Sequence, residues 1–148
     1  LTRSYTSSGT FVTAFYATLD VRTRVLTFST AGHNPPRLRR GDGVRSLDAP
    51  GGLPLGIMDD ETYGESSITL ERGDVLLLYT DGITEAMAPT DSSGTRELFG
   101  VERLDAEILS CSECRAQIAV DRVRAAVEGF VRSTPPTDDQ TIVAIVMK

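Results

Sequence analysis

The sequence lacks any long apolar run. No stretch approaches the roughly 20 residues that a membrane-spanning helix needs, and the first residues, LTRSYTSSGTF, contain no apolar segment of the secretory type. Basic residues are also in the minority, with 15 Lys and Arg against 21 Asp and Glu, whereas proteins that bind nucleic acid cluster such residues. We therefore expect a cytoplasmic protein whose partners are neither membranes nor nucleic acids.

Cysteine is scarce, and so are the motifs of other enzyme classes. Cys111 and Cys114 stand alone; without a second Cys or His pair they cannot complete a tetrahedral zinc site, and we expect two ordinary thiols. No serine lies in a recognisable nucleophile turn. Gly51, Gly52 and Gly56 lack the Lys-Ser/Thr of a phosphate-binding loop. These absences argue against a zinc site, a serine hydrolase and a P-loop nucleotide site.

Length and apolar patterning predict one domain that begins with antiparallel strands. A chain of 148 residues with 40 % hydrophobic content can bury one sizeable core, so we expect a single domain over residues 1–148, with residues 1–10 as a flexible lead-in. Residues 11–19 are apolar on both alternating faces, which predicts a central strand covered on both sides. Residues 37–47 predict a hairpin of two short, charged edge strands, and residues 71–74 predict a further hairpin turn.

The second half of the chain predicts a buried strand, two helices and a returning strand. The run Val75–Tyr79 has the composition of a buried strand. Apolar residues at three- and four-residue spacing over 101–131 predict amphipathic helices, the second capped by Ser110 or Ser112. Residues 141–147 predict a last, buried strand. This order is typical of an α+β layered domain.

Acidic residues stand where two of these strands end or begin. Asp81 follows the strand Val75–Tyr79, and Gly82 after it lets the backbone turn without a Cβ clash. Asp138 and Asp139 come just before the last strand. Carboxylates are ligands that Mg²⁺ and Mn²⁺ prefer, so the two corners could share a pair of metal ions. The alternative is that each acid only caps a turn, as Asp often does beside Gly or Thr.

The single histidine, His33, lies in a turn between Gly32 and Pro35. It could line a catalytic site, but a turn histidine more often hydrogen-bonds to nearby backbone, and we favour that interpretation. We therefore expect no catalytic side chain beyond the metal ligands, with Gly82 and His33 as residues that could line the site.

Five motifs along the chain resemble those of a known phosphatase family in order and spacing. They are AGHNPP (31–36), GLPLG (52–56), LLLYTDGITEA (76–86), LFG (98–100) and DDQT (138–141). Together they are similar to the SpoIIE/RsbU branch of the PPM, or type-2C, serine/threonine phosphatases. The similarity extends from Phe11 to the end of the chain.

The resemblance implies an antiparallel α-β-β-α sandwich that holds two Mn²⁺ or Mg²⁺ ions. These ions would activate a water that attacks a phosphoserine or phosphothreonine directly. Asp81 matches the Asp of the family's TDG motif and Asp138 the first Asp of its closing DD motif, both as metal ligands, while Asp139 stands at the second DD position. In this branch the substrate is commonly a phosphorylated anti-sigma-factor antagonist.

One family motif has no counterpart in these residues. The family also has an upstream Asp-x-x-Gly-His-Gly segment that bridges both metals, and His33 is not its histidine. We therefore expect an N-terminally truncated, larger C-terminal part of the domain, weak or inactive alone and able to form a homodimer over an exposed sheet edge. The alternatives are a catalytically incomplete module that acts only in protein binding and a generic metal-binding β domain.

Overall fold

The structure is a computed structural model that describes residues 11–58, 60–90, 92–111, 115–136 and 138–148. The chain forms two compact units: Leu1–Pro35 with Leu47–Glu71, and Pro36–Ser46 with Arg72–Lys148. The predicted lead-in, residues 1–10, lies outside the described residues. A single domain over the whole chain stays a prediction.

Among the described elements, six strands come first, three helices follow, and one strand comes last. In chain order they are β1 (Ala14–Asp20), β2 (Val25–Ala31), β3 (Arg37–Arg40), β4 (Gly43–Ser46), β5 (Ser66–Thr69), β6 (Val75–Tyr79), α1 (Asp81–Thr84), α2 (Gly100–Leu109), α3 (Ala116–Val131) and β7 (Ile142–Val146). All pairs between these strands are antiparallel. None of the described helices is both long and apolar enough to cross a membrane.

The first unit contains a three-stranded sheet in the order β1-β2-β5. The turn from β1 to β2 is closed by Asp20, whose Oδ1 accepts the N–H of Arg22 at 2.8 Å and of Thr23 at 3.2 Å. These backbone bonds, that of Thr23 first, lower the pKa of the Asp20 carboxyl. The carboxylate therefore stabilises the turn in its charged form.

The predicted central position of the first strand is wrong. Among the described strands β1 pairs only with β2, and it is largely exposed, with 69 % of Tyr16 accessible to solvent. An apolar pattern on both faces reports what side chains can tolerate, but it does not specify how many strands pair alongside.

The second unit contains a four-stranded sheet in the order β4-β3-β6-β7. The predicted buried strand is confirmed: β6 lies inside the sheet, and all its residues but Leu78 are buried. The prediction of two edge strands holds for β4 and is wrong for β3, which pairs with both β4 and β6. Its arginines are tolerated there because Arg37 and Arg40 each bind a carboxylate, at 2.6 Å in both ion pairs.

Two further predictions about this sheet are wrong. β7 is an edge strand, and Val143 is 49 % exposed, so the last strand is only partly buried. Residues 71–74 form no hairpin, because β5 and β6 belong to different sheets. Instead, Gly73 N–H donates to Met147 O at 2.9 Å and Met147 N–H to Asp74 O at 3.0 Å. The strand β6 is thus aligned by its partner β7, which comes much later in the chain.

The predicted helices are confirmed as α2 and α3, which pack on the sheet of the second unit. The buried cluster there consists of Leu77, Tyr79, Ile83, Ala86, Phe99, Leu104, Ile108, Val123 and Val127. Ile118, predicted on the apolar face, is 43 % exposed. The capping prediction is wrong for Ser110, which ends α2, while α3 begins after Arg115 with no side-chain cap; Ser112 lies outside the described residues.

Cys111 follows α2 and is buried. It is disulfide-bonded, so the prediction of an ordinary thiol is wrong at this position. Cys114 lies outside the described residues.

Candidate metal centre

Asp81 is presented to solvent at the point where β6 leaves the core. The chain turns at Thr80 into α1, a single helical turn in which Ile83 N–H donates to Thr80 O at 3.1 Å and Glu85 N–H to Asp81 O at 2.7 Å. Ile83 is 1 % exposed and fixes this turn in the core, whereas Asp81 is exposed. A buried strand and a buried isoleucine therefore hold an acid whose own side chain is free of the core.

The end of β6 is also held from the helix side. Tyr79, its last residue, is buried, and this burial raises the pKa of the phenol; Arg37 opposes the shift and Asp105 adds to it. Arg37 donates from Nε and Nη2 to the two oxygens of Asp105 at 2.8 and 2.6 Å, joining β3 to α2. The strand β6, which leads to Asp81, thus ends in a tightly packed region.

The second acidic corner lies directly before β7. Asp138 and Asp139 are both exposed, and Thr137 lies outside the described residues. Asp138 Oδ1 accepts the N–H of Asp139 at 2.7 Å, just as Asp81 Oδ1 accepts the N–H of Gly82 at 3.0 Å. Within the described part of the chain, no donor binds the second oxygen of either carboxylate. One oxygen of each acid is oriented by backbone, and the other remains available to a ligand.

The structure brings the two corners together although Asp81 and Asp138 are 57 positions apart in the sequence. Thr80 N–H donates to Thr141 O at 3.1 Å, and Thr141 N–H donates to Thr80 Oγ1 at 2.9 Å. The Thr80 hydroxyl donates to Asp139 O, and Gln140 Nε2 donates to Gly82 O, both at 3.0 Å. The bond from Thr80 N–H to Thr141 O continues the β6–β7 ladder past its last pair, Tyr79 with Ile142, and the other three bonds involve side chains.

Gly82 is required by this close approach. A Cβ built on Gly82 would lie 2.5 Å from Asp139 O, nearer than real Cβ atoms come to oxygen, and 3.3 Å from Asp138 O, which is a tight contact. The backbone fixes the direction of a Cβ, so a larger residue could not turn that atom away. The glycine therefore permits contact between the corners. Gly82 lies in the helical turn α1 and its φ is not positive, so the expectation that the turn itself needs a glycine here is wrong.

The carboxylates fit a divalent metal in chemistry, but they do not form a complete site. Among the residues that the structure describes, no group of three or more His, Cys, Asp or Glu side chains is placed to hold a metal ion. The corners offer the exposed carboxylates of Asp81 and Asp138, which are hard oxygen donors of the kind Mg²⁺ and Mn²⁺ prefer. Asp139 contributes its carbonyl to Thr80. A ligand role for all three acids stays a prediction.

His33 belongs to the first unit. Its Nδ1 lies 3.2 Å from Thr13 Oγ1, and its carbonyl accepts the Thr30 hydroxyl at 3.4 Å. The ring thus bonds to a side chain on another segment and not, as expected, to nearby backbone. A site-lining role stays a prediction.

Thr80 and Gln140 are the residues of the site that sequence reasoning missed. Thr80 stands in the TDG motif and Gln140 in the DDQT motif, each beside an acid. Spacing along the chain gives no indication that a side chain at 80 bonds to residues 139 and 141. Polar residues directly beside strand-end acids are the signal that could have identified them.

The sequence matches a known protein family along its whole length. The family described as "Stage II sporulation protein E (SpoIIE)" matches residues 1–148. The chain belongs to the SpoIIE family. This match confirms the resemblance that the motifs predicted, to the SpoIIE/RsbU branch of the PPM phosphatases.

Curated relatives of this SpoIIE family chain are longer proteins. Protein IcfG of Synechocystis sp. (strain ATCC 27184 / PCC 6803 / Kazusa) is 27 % identical over 135 residues, which are 91 % of this chain and 20 % of IcfG. Phosphoserine phosphatase RsbU of Bacillus subtilis (strain 168) is 36 % identical over 77 residues, 51 % of this chain and 23 % of RsbU. The chain thus covers only about a fifth of the length of these relatives.

Solved structures of PP2C domains share the fold. The SiaA-PP2C domain of Pseudomonas aeruginosa superposes with a TM-score of 0.80 at 22 % identity, covering 99 % of this chain and 55 % of that domain. The Mn-presoaked phosphatase domain of SpoIIE from Bacillus subtilis gives 0.69 at 21 % identity, covering 92 % and 56 %. The predicted α+β class with antiparallel sheets is confirmed.

Proposed function

We propose that this chain is part of a metal-dependent serine/threonine phosphatase domain in which Asp81 and Asp138 are metal ligands. The observation that carries the proposal is the direct contact between the two acidic corners, which are hydrogen-bonded to one another by Thr80 and Gln140. Turn capping alone would not require this contact, because each acid already bonds to the next N–H in its own corner. Asp139 is the third candidate ligand.

The chain's own residues would hold and orient the metals. When bound, a pair of Mn²⁺ or Mg²⁺ ions would lower the pKa of a water and offset charge on the phosphoryl group. Asp81 would supply its oxygens from the corner just after β6, and Asp138 from a second corner that is hydrogen-bonded to the first. No side chain is proposed as a general acid or base, so His33 is not assigned a catalytic role.

Counting ligands predicts that the 148-residue chain by itself binds metal weakly. A two-metal site places its ions about 3.5–4 Å apart, which needs a bridging carboxylate as well as terminal ligands. Asp81 and Asp138 are too few for both tasks. We therefore expect slow hydrolysis, or none, by the 148 residues alone.

The substrate class follows from chemistry and from relatives. RsbU, which is 36 % identical over half of this chain, is named a phosphoserine phosphatase. We propose a phosphoserine or phosphothreonine on a regulatory protein such as an anti-sigma-factor antagonist, encountered in the cytoplasm. Formation of a homodimer is a further, untested part of this proposal.

The test compares variants of the gene product that contains these 148 residues, assayed on one phosphoserine protein in Mn²⁺ buffer. Asp81→Asn and Asp138→Asn should each lower turnover by more than about 100-fold. Removing a group that only supports a ligand typically lowers activity by about 10- to 100-fold, and removing the ligand itself should lower it further. Asp42→Asn is the matched control: it removes the same charge from an exposed turn of the second unit and should leave turnover unchanged.

Two results would contradict the proposal. Turnover that survives both Asp81→Asn and Asp138→Asn as well as it survives Asp42→Asn would refute these ligands. A gene product that binds the phosphoprotein but never hydrolyses it would favour the binding-only module.

A further inference from the structure

Two side chains cross between the acidic corners, and each reaches the residue that orients the carboxylate on the opposite corner. The Thr80 hydroxyl, from the Asp81 corner, donates to the carbonyl of Asp139 at 3.0 Å. The N–H of the same Asp139 binds Asp138 Oδ1 at 2.7 Å. Thr80 therefore holds the residue that orients Asp138.

The reverse connection runs through Gln140. Its side-chain amide, from the Asp138 corner, donates to the carbonyl of Gly82 at 3.0 Å. The N–H of Gly82 binds Asp81 Oδ1, also at 3.0 Å. Gln140 therefore holds the residue that orients Asp81, and the two connections are reciprocal.

The Thr80 hydroxyl is used here instead of in its usual local role. Thr80 is the N-cap of α1, with φ −92° and ψ 159°, a position at which a threonine hydroxyl commonly accepts an N–H of its own helix. Thr80 makes no such cap bond. Its oxygen accepts Thr141 N–H at 2.9 Å while its hydrogen goes to Asp139 O. The hydroxyl thus donates one hydrogen bond to the other corner and accepts one from it.

We propose that Thr80 and Gln140 are positioning residues that set how the Asp81 and Asp138 carboxylates face one another. This inference rests on the proposed metal-ligand role of the two acids. Groups behind metal ligands typically change metal affinity or activity by about 10- to 100-fold when removed, because ligands then lose their orientation. The corners already touch through backbone, so the side chains refine orientation and do not create the contact.

The experiment measures the Mn²⁺ dissociation constant and thermal stability of the gene product that contains this chain. Thr80→Val keeps the shape of threonine but removes the hydroxyl, and Gln140→Met keeps the length of the side chain but removes the amide. Each should weaken Mn²⁺ binding by about 10- to 100-fold. Thr80→Ser, which retains the hydroxyl, should restore tight binding. Thr27→Val is the matched control, because the Thr27 hydroxyl lies 3.0 Å from Ser67 Oγ in the sheet of the first unit, whereas both acidic corners belong to the second.

The outcomes separate this inference from the function on which it rests. If Asp81→Asn weakens Mn²⁺ binding but Thr80→Val and Gln140→Met bind Mn²⁺ as tightly as Thr27→Val, the positioning role is refuted and the metal site stands. If Asp81→Asn itself leaves Mn²⁺ binding unchanged, the metal site is refuted and the positioning role falls with it. A fall in melting temperature without a change in Mn²⁺ affinity would mean that the two residues are merely structural.

Discussion

Gly82→Ala would test whether contact between the acidic corners is as close as the structure indicates. The added Cβ would lie 2.5 Å from Asp139 O and 3.1 Å from its carbonyl carbon. Ordinary non-bonded contact begins near 3.5 Å, so the corners would have to separate by about 1 Å. The obstruction is backbone, which cannot rotate away as a flexible side chain could.

The expected cost is that of overpacking a well-packed site, about 1–3 kcal/mol of unfolding free energy. For a chain of this size that corresponds to a melting temperature lower by about 2–4 °C for each kcal/mol. Mn²⁺ binding by the gene product should weaken as well, because the separation moves Asp138 away from Asp81. Calorimetry and a Mn²⁺ titration measure the two effects on the same sample.

Gly129→Ala is the control for the substitution itself. Gly129 lies in α3, and a Cβ there would meet no atom within 4 Å. Alanine is favoured over glycine inside a helix by about 0.5–1 kcal/mol, so this variant should be more stable than the unaltered chain. If Gly82→Ala is as stable as Gly129→Ala and binds Mn²⁺ equally well, the reasoning about close contact is wrong.

Two further predictions concern the support of β6. Arg40→Met should lower the unfolding free energy by about 3 kcal/mol, the lower end for breaking a buried ion pair, because Arg40 is one-third exposed. Asp74→Asn should cost less in urea titrations, because the charge that it leaves, on Arg40, is partly exposed to water, whereas Arg40→Met leaves the charge of the buried Asp74. Equal costs would contradict this. Burial raises the pKa of Tyr79, so the folded state holds this proton more tightly and stability should fall as pH rises above the ordinary tyrosine pKa of about 10. Tyr79→Phe should remove that part of the alkaline decline, and an unchanged pH profile would refute it.

Local patterns predicted the elements of the second unit well where burial is one-sided or complete. The five-residue run of β6 and the spacing of Leu104, Ile108, Val123 and Val127 each depend on neighbours within a few residues. Local patterns failed for β3, because a charged strand looks exposed until its arginines are known to have carboxylate partners on other elements. They failed for residues 71–74 because a turn signal does not state which sheet the next strand joins.

The site divides in the same way. The sequence by itself indicated Asp81 and Asp138 as candidate metal ligands, because each stands beside an apolar run whose strand character is local. The order of the motifs was enough to indicate the family. Only the tertiary structure decided that the corners touch, that Gly82 is needed for close approach, and that Thr80 and Gln140 cross between them. The physical reason is that an antiparallel pair such as β6 and β7 joins residues far apart in the chain, and a local pattern does not record which distant residue each one faces.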